Sequence, residues 1–178
     1  MKFRNALAVA GSVLVIVGLS GCSSSANREA MVASDVQMAK KHDRSVAVRT
    51  GGGAETTAME SSNIADADLK AAIEDSIVKT RVFKSVVQGK DADYDLAVSI
   101  VKLEKPVFGL TFTVNMEATW VLVKQSDKSV VLKRSIESSS TATFSDAAVA
   151  VTRLRLAVEG AAKRNIEQGL QAISALSL

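Results

Sequence analysis

The stretch that most constrains this chain is residues 110–124. Leu110, Phe112, Val114, Met116, Ala118, Trp120 and Leu122 alternate there with Thr111, Thr113, Asn115, Glu117 and Thr119. Successive side chains of a strand point to opposite faces, so this one has an apolar face and a polar face. An antiparallel sheet covered on one side and open on the other satisfies both. A one-residue slip would turn every large apolar side chain into water. The rest of the chain must therefore supply partner strands and a covering layer.

Partner strands are readable on both sides. Residues 93–104 place Tyr94, Leu96, Val98 and Ile100 on one face, and Val130, Leu132 and Ile136 carry the same face onto a third strand. Arg134 interrupts that face opposite Trp120, positioned to stack on the indole or to emerge at the sheet edge. Residues 45–50 are β-branched and alternating, which predicts a strand ended by Gly51, Gly52 and Gly53. The triple glycine lacks the Lys-Ser/Thr of a phosphate loop and reads as an open loop running to Ser62.

The covering layer reads as two helices. Leu69, Ala72, Ile73, Ser76, Ile77 and Thr80 recur at helical spacing, with Asn63 or Asp66 as the cap. Phe83, Val86 and Val87 follow as a short strand or a plug. A long second helix is predicted from a cap at Thr143 or Ser145, with Asp146 in its first turn. Its apolar stripe is Val151, Leu154, Val158, Ala161, Ala162, Ile166, Leu170, Ile173 and Leu176. Gly160 and Gly169 on that helix predict close approach to the sheet, and Arg153, Arg155, Lys163 and Arg164 a solvated basic face. The predicted fold is an α+β two-layer sandwich: a mostly antiparallel sheet, two helices on one face, in the order β-α-(β)-β-β-β-α.

The N-terminus carries an address. Lys2 and Arg4 precede an uncharged apolar run, residues 6–17, followed by Leu19-Ser20-Gly21-Cys22. The run is short of the about 20 residues a membrane span needs and fits a signal peptide. The four residues resemble the lipobox of bacterial lipoproteins. That resemblance implies recognition of Leu19, Ser20 and Gly21 by a signal peptidase, cleavage before Cys22 and acylation of Cys22, which would hold the chain to a membrane. Ser23, where inner-membrane lipoproteins of enteric-type bacteria carry Asp, resembles an outer-membrane sorting signal. The expected organisation is a signal peptide over 1–21, a lipidated cysteine and flexible tether over 22–44, and one periplasmic domain over 45–178.

Lys2 and Arg4 would leave with the signal, taking two of the three net positive charges. The remaining balance offers nothing to nucleic acid. Cys22 is the only cysteine, so no disulfide is expected and stability must come from packing. A helix leading to Arg81-Val82-Phe83, then Ala92-Asp93-Tyr94-Asp95-Leu96, a long β-meander ending near Val131 and a long closing helix resemble the small envelope lipoproteins of the YajG-like kind. More distantly they are similar to auxiliary lipoproteins of transport, curli-secretion and cell-wall machines. Those families imply a domain that docks or assists.

Catalytic chemistry finds little support. The one histidine, His42, falls in the expected tether, away from any core triad or metal cluster. No metal and no cofactor are expected, and the carboxylate pairs Asp93/Asp95 and Glu74/Asp75 read as solvated charge. The expected function is a non-catalytic binding or assembly module, anchored in the outer membrane and meeting a protein partner of the envelope. The candidate partner face is Val101, Leu103, Thr113, Val121, Val123 and Val131 on the uncovered side of the sheet, with Arg155 of the last helix. The alternative is a carrier of a lipid or other apolar ligand, held between helices and sheet near Phe112, Met116 and Trp120.

Overall fold

A computed structural model describes residues 25–57, 62–89 and 91–178. The signal segment, Leu19, Ser20, Gly21 and Cys22 lie outside the described residues. Five strands form one sheet in the order β2-β1-β3-β4-β5: β1 (His42–Gly51), β2 (Phe83–Val86), β3 (Tyr94–Glu104), β4 (Phe112–Lys124) and β5 (Val130–Ala142). The long strands β3, β4 and β5 pair antiparallel, as the alternation requires. β1 runs parallel to both its neighbours, since the chain returns to the sheet through a helix after it. The fold class is the predicted α+β sandwich.

Among the described residues three helices accompany the sheet: α1 (Arg28–Met31), α2 (Asp66–Thr80) and α3 (Ala150–Ser174). α2 lies over β1 and β2, and α3 over β4 and β5. The buried residues of α2 are Leu69, Ala72, Ile73, Ser76, Ile77 and Thr80, the set that the helical spacing selects. Its cap differs: neither Asn63 nor Asp66 fills the role, and Ala65 precedes the helix without a side-chain cap. Asp66 Oδ1 instead accepts the Gly53 amide at 2.8 Å. A Cβ on Gly53 would sit 2.5 Å from the Ile64 carbonyl oxygen, so glycine is required where the loop presses on the helix start.

α3 begins later than predicted. Thr143 and Asp146 close a turn of their own, with the Thr143 amide and hydroxyl donating to Asp146 Oδ2 at 2.7 and 2.8 Å. The guanidinium of Arg153 then takes the Ala147 and Ala148 carbonyls, both at 2.8 Å. Those oxygens would otherwise receive the first helical amides, so the helix starts at Ala150. Both glycines of α3 touch the sheet as expected. A Cβ on Gly169 would lie 2.5 Å from two Trp120 ring atoms, and one on Gly160 would lie 2.2 Å from Ser140 Oγ.

The expected tether is corrected from residue 26 onward. Residues 26–41 form a strap packed on the outside of α2 and α3, with Ala26, Met31, Val32 and Ala33 buried. Three side chains hold its backbone: Glu159 Oε1 accepts the Asn27 amide at 2.8 Å, Ser76 Oγ the Ala33 amide at 2.9 Å, and Ser174 Oγ the Ala39 amide at 3.1 Å. The Arg28 guanidinium pairs with Asp75 of α2 at 3.3 Å. Composition misleads here because the strap needs few apolar anchors when the helices offer acceptors for its amides. His42 is corrected with it: it starts β1 at 7% exposure, and its Nε2 donates to the Ile173 carbonyl at 3.1 Å. Among the described residues no helix is long and apolar enough to cross a membrane.

Candidate functional site

Among the described residues every helix and the strap lie on one side of the sheet, and no element covers the other side of β1, β3, β4 and β5. Register defines that face. Asp95, Val123 and Val130 form one row, and Arg49, Ala97, Val121 and Lys133 the next. Ser99, Thr119 and Ser135 follow, then Lys102, Glu117 and Glu137. Thr113 and Thr141 close the far end, their hydroxyls 2.9 Å apart. A small apolar centre around Ala97 and Val121 is thus flanked by charge.

The charged side is internally paired. Lys102 Nζ lies 2.7 Å from Glu104 Oε1. That hydrogen bond raises the Lys102 ammonium above its ordinary range and holds the Glu104 carboxyl below its own. Ser135 donates to Glu117 Oε1 at 2.6 Å. An open groove of about 560 Å³ runs here, lined by Lys102, Glu104, Asn115, Glu117, Glu137 and Arg164 among others. At the opposite corner Arg49 Nε meets Asp95 Oδ2 at 3.0 Å. Asp93 accepts the Ser45 amide and hydroxyl, each at 2.8 Å, which lowers its pKa. These two carboxylates tie β1 to β3.

Two bulges redistribute the expected partner residues. Thr113, Val121 and Val123 lie on the open face. Between Ile100 and Lys102 the register shifts, leaving Val101 as the extra residue, 58% exposed. Beyond that shift Leu103 pairs with Met116 and packs against the core, so it is not on the open face. A second shift, between Leu122 and Val123, leaves Val131 unpaired and partly packed on the core. Val130 takes its place opposite Val123. Strict alternation has no signal for an extra residue, and so could not place these three. Arg155 is on α3, on the opposite side of the molecule, with its Nε 3.5 Å from Glu159 Oε1.

The basic face of α3 is corrected at Arg153, while Arg164 is exposed as expected. Arg153 is buried, its guanidinium 5.3 Å from the Phe112 ring centroid and 5.6 Å from that of Phe144. Arg164 donates to the Ser139 carbonyl on β5. Arg134 pairs with Trp120 in register but is exposed at the sheet edge.

Between the layers the interior is filled. Trp120, Leu122, Val114 and Ala118 are fully buried, and Met116 and Phe112 nearly so. A polar chain that periodicity does not reveal crosses this interface. Trp120 Nε1 donates to Asn165 Oδ1 at 2.9 Å, and Asn165 Nδ2 to the Ile136 carbonyl at 2.8 Å. Ser138 Oγ donates to the Ala161 carbonyl at 2.9 Å. Glu159, 4% exposed, has its pKa raised by burial, against the Asn27 amide and Arg155, which favour its charged form. Among the described residues no group of three His, Cys, Asp or Glu side chains is arranged to hold a metal ion.

No family model matches the chain, and no curated protein matches it. Solved structures do share its fold. Protein XCC0632 of Xanthomonas campestris, a DUF330 protein, superposes with a TM-score of 0.56 at 16% identity, over 79% of this chain and 89% of that one. PelC of Paraburkholderia phytofirmans, a dodecamer, gives 0.51 at 14% identity, over 82% and 95%. The uncharacterized lipoprotein B of Nitrosomonas europaea gives 0.50 at 15% identity, over 78% and 87%. At such identities the likeness is one of fold.

Proposed function

We propose that this chain is a lipid-anchored module of the bacterial cell envelope. It docks a protein partner of a membrane-associated machine on the open face of its sheet and carries out no covalent chemistry of its own. The observation that carries this reading is the asymmetry of cover. One face of the sheet is buried under helices and strap, while the other carries no covering element among the described residues and leaves Val121 and Val123 partly exposed, with charged residues on either side. Two features support the anchor: the lipobox-like Leu19-Ser20-Gly21-Cys22 and a fold shared with a protein described as a lipoprotein. Ser23 favours the outer membrane, with the domain on its periplasmic side. The filled interior speaks against the carrier alternative, since Trp120, Met116 and Phe112 occupy the space an apolar ligand would need.

Photo-crosslinking in living cells tests the proposal, with probes at Thr113 and Val121 and a reference probe at Arg155 on the helix side. A discrete protein adduct from the two sheet positions is expected, and not from Arg155. Lipid recovered from all three, with no protein adduct, would replace docking by carriage.

A further inference from the structure

Among the described residues, the three most exposed large apolar side chains and two further ones are gathered at one end of the molecule, whereas Val78, Val101 and Val130 are exposed singly elsewhere. Val107 is 92% exposed, Phe108 87%, Leu110 74%, Phe144 61% and Val149 60%. They belong to two loops, residues 105–111 and 143–149, which Arg153 ties together. Its Nη1 holds the Ala147 and Ala148 carbonyls, its Nη2 donates to the Gly109 carbonyl at 3.4 Å, and its guanidinium faces Phe144. A buried arginine holding both loops makes the apolar tip a built surface, of the kind that marks an interaction site.

The chain enters the fold at this same end. The Ala26 amide donates to the Asn63 carbonyl at 3.2 Å, and Lys105 Nζ reaches Asn63 Oδ1 and the Ser62 carbonyl. Asn63 therefore joins the first packed residue of the strap to the root of the 105–111 loop. Cys22 lies four residues before Ala26, a span of at most about 14 Å fully extended. An acyl chain on Cys22 would leave the apolar tip no room to stand far from the bilayer.

We infer that Val107, Phe108, Leu110, Phe144 and Val149 seat in the lipid leaflet that holds the acylated Cys22, as a second membrane contact beside the anchor. The inference rests on the lipid-anchored reading. Lipid anchoring becomes stable with two signals, and shallow apolar insertion reaches about 5–10 Å into the headgroup and acyl boundary. β1 and β3 end at this end of the molecule and α3 begins there, so the sheet would stand end-on to the membrane. Its open face would look sideways, free for a partner.

The test uses the full chain produced in a bacterium, purified from its membranes and placed in phosphatidylethanolamine/phosphatidylglycerol vesicles. A polarity-sensitive fluorophore is attached at Phe108→Cys, with Ser135→Cys on the open face as reference; both positions are exposed, so the fold tolerates them. Mass spectrometry of the N-terminal peptide reads acylation of Cys22 separately. We expect an acylated peptide, a blue-shifted Phe108 probe, and quenching by shallow spin-labelled lipids about threefold or more above that at Ser135. An acylated chain whose Phe108 probe stays in water overturns the seat and leaves the anchor standing. A Phe108 blue shift without lipid quenching, together with Phe108→Cys disulfide dimers, overturns it in favour of contact between copies. An unacylated Cys22 removes the anchor and the inference with it.

Discussion

Substituting Met31 by alanine tests whether the strap is part of the folded domain. Met31 is 0% exposed, in a segment that touches both α2 and α3. Truncation removes about three methylene-sized groups, worth about 0.8 kcal/mol each in transfer alone. Core Met→Ala changes cost about 2–5 kcal/mol once the residual cavity is included. The strap is the outermost layer, so it can sink toward the gap and lose less to a cavity. The expected loss is therefore about 2–3 kcal/mol, read by denaturant unfolding with Trp120 fluorescence. Hydrogen exchange gives the local measure. The Ala33 amide, bonded to Ser76 Oγ, should lose protection by roughly 25- to 150-fold, at about tenfold per 1.4 kcal/mol. Val78→Ala, at a position 63% exposed on α2, serves as the control and should change stability by less than about 0.5 kcal/mol. If Met31→Ala matches this control and Ala33 exchange is unchanged, the segment is a loose tether and the packed strap is refuted.

Two further outcomes follow from the same contacts. Gly169→Ala gains about 1 kcal/mol of helix propensity but drives a methyl into Trp120, whose ring is hydrogen-bonded to Asn165 and cannot swing away. Overpacking of about 1–3 kcal/mol should leave Gly169→Ala less stable with shifted Trp120 emission, and a more stable variant would show that helix and sheet do not touch there. The Asp93 carboxyl is lowered from its ordinary 3.8 by the Ser45 amide and hydroxyl. Its contribution is present above 3.8 and lost as pH falls through the folded value. Glu159 has the opposite sign: burial raises it from 4.5, so its contribution is fully present below 4.5 and lost as pH rises through the folded value. Asp93→Asn and Glu159→Gln should each flatten their own part of the stability–pH curve, measured by thermal melts from pH 2 to 7. An unchanged curve for either would remove that assignment.

Periodicity determined by itself the inward set of β4 from Phe112 onward, though not Leu110, which lies exposed in the loop before the strand. It also determined the buried stripe of α2 and the α+β class, because two- and 3.6-residue repeats translate directly into faces. The glycines of α3 also announced their contact with the sheet, since only a missing Cβ lets Trp120 and Ser140 approach so closely. Tertiary structure decided what no local repeat encodes. One extra residue at Val101 returned Leu103 to the core, and another at Val131 brought Val130 onto the open face. Arg153, spaced like a surface charge, is buried because carbonyls and aromatic rings from two distant loops converge on it. The polar residues after Cys22 give no sign of a strap, because its binding sites are Glu159, Ser76 and Ser174, far away in sequence. A side chain's face follows from its neighbours in the chain, but its partner follows from closure of the fold.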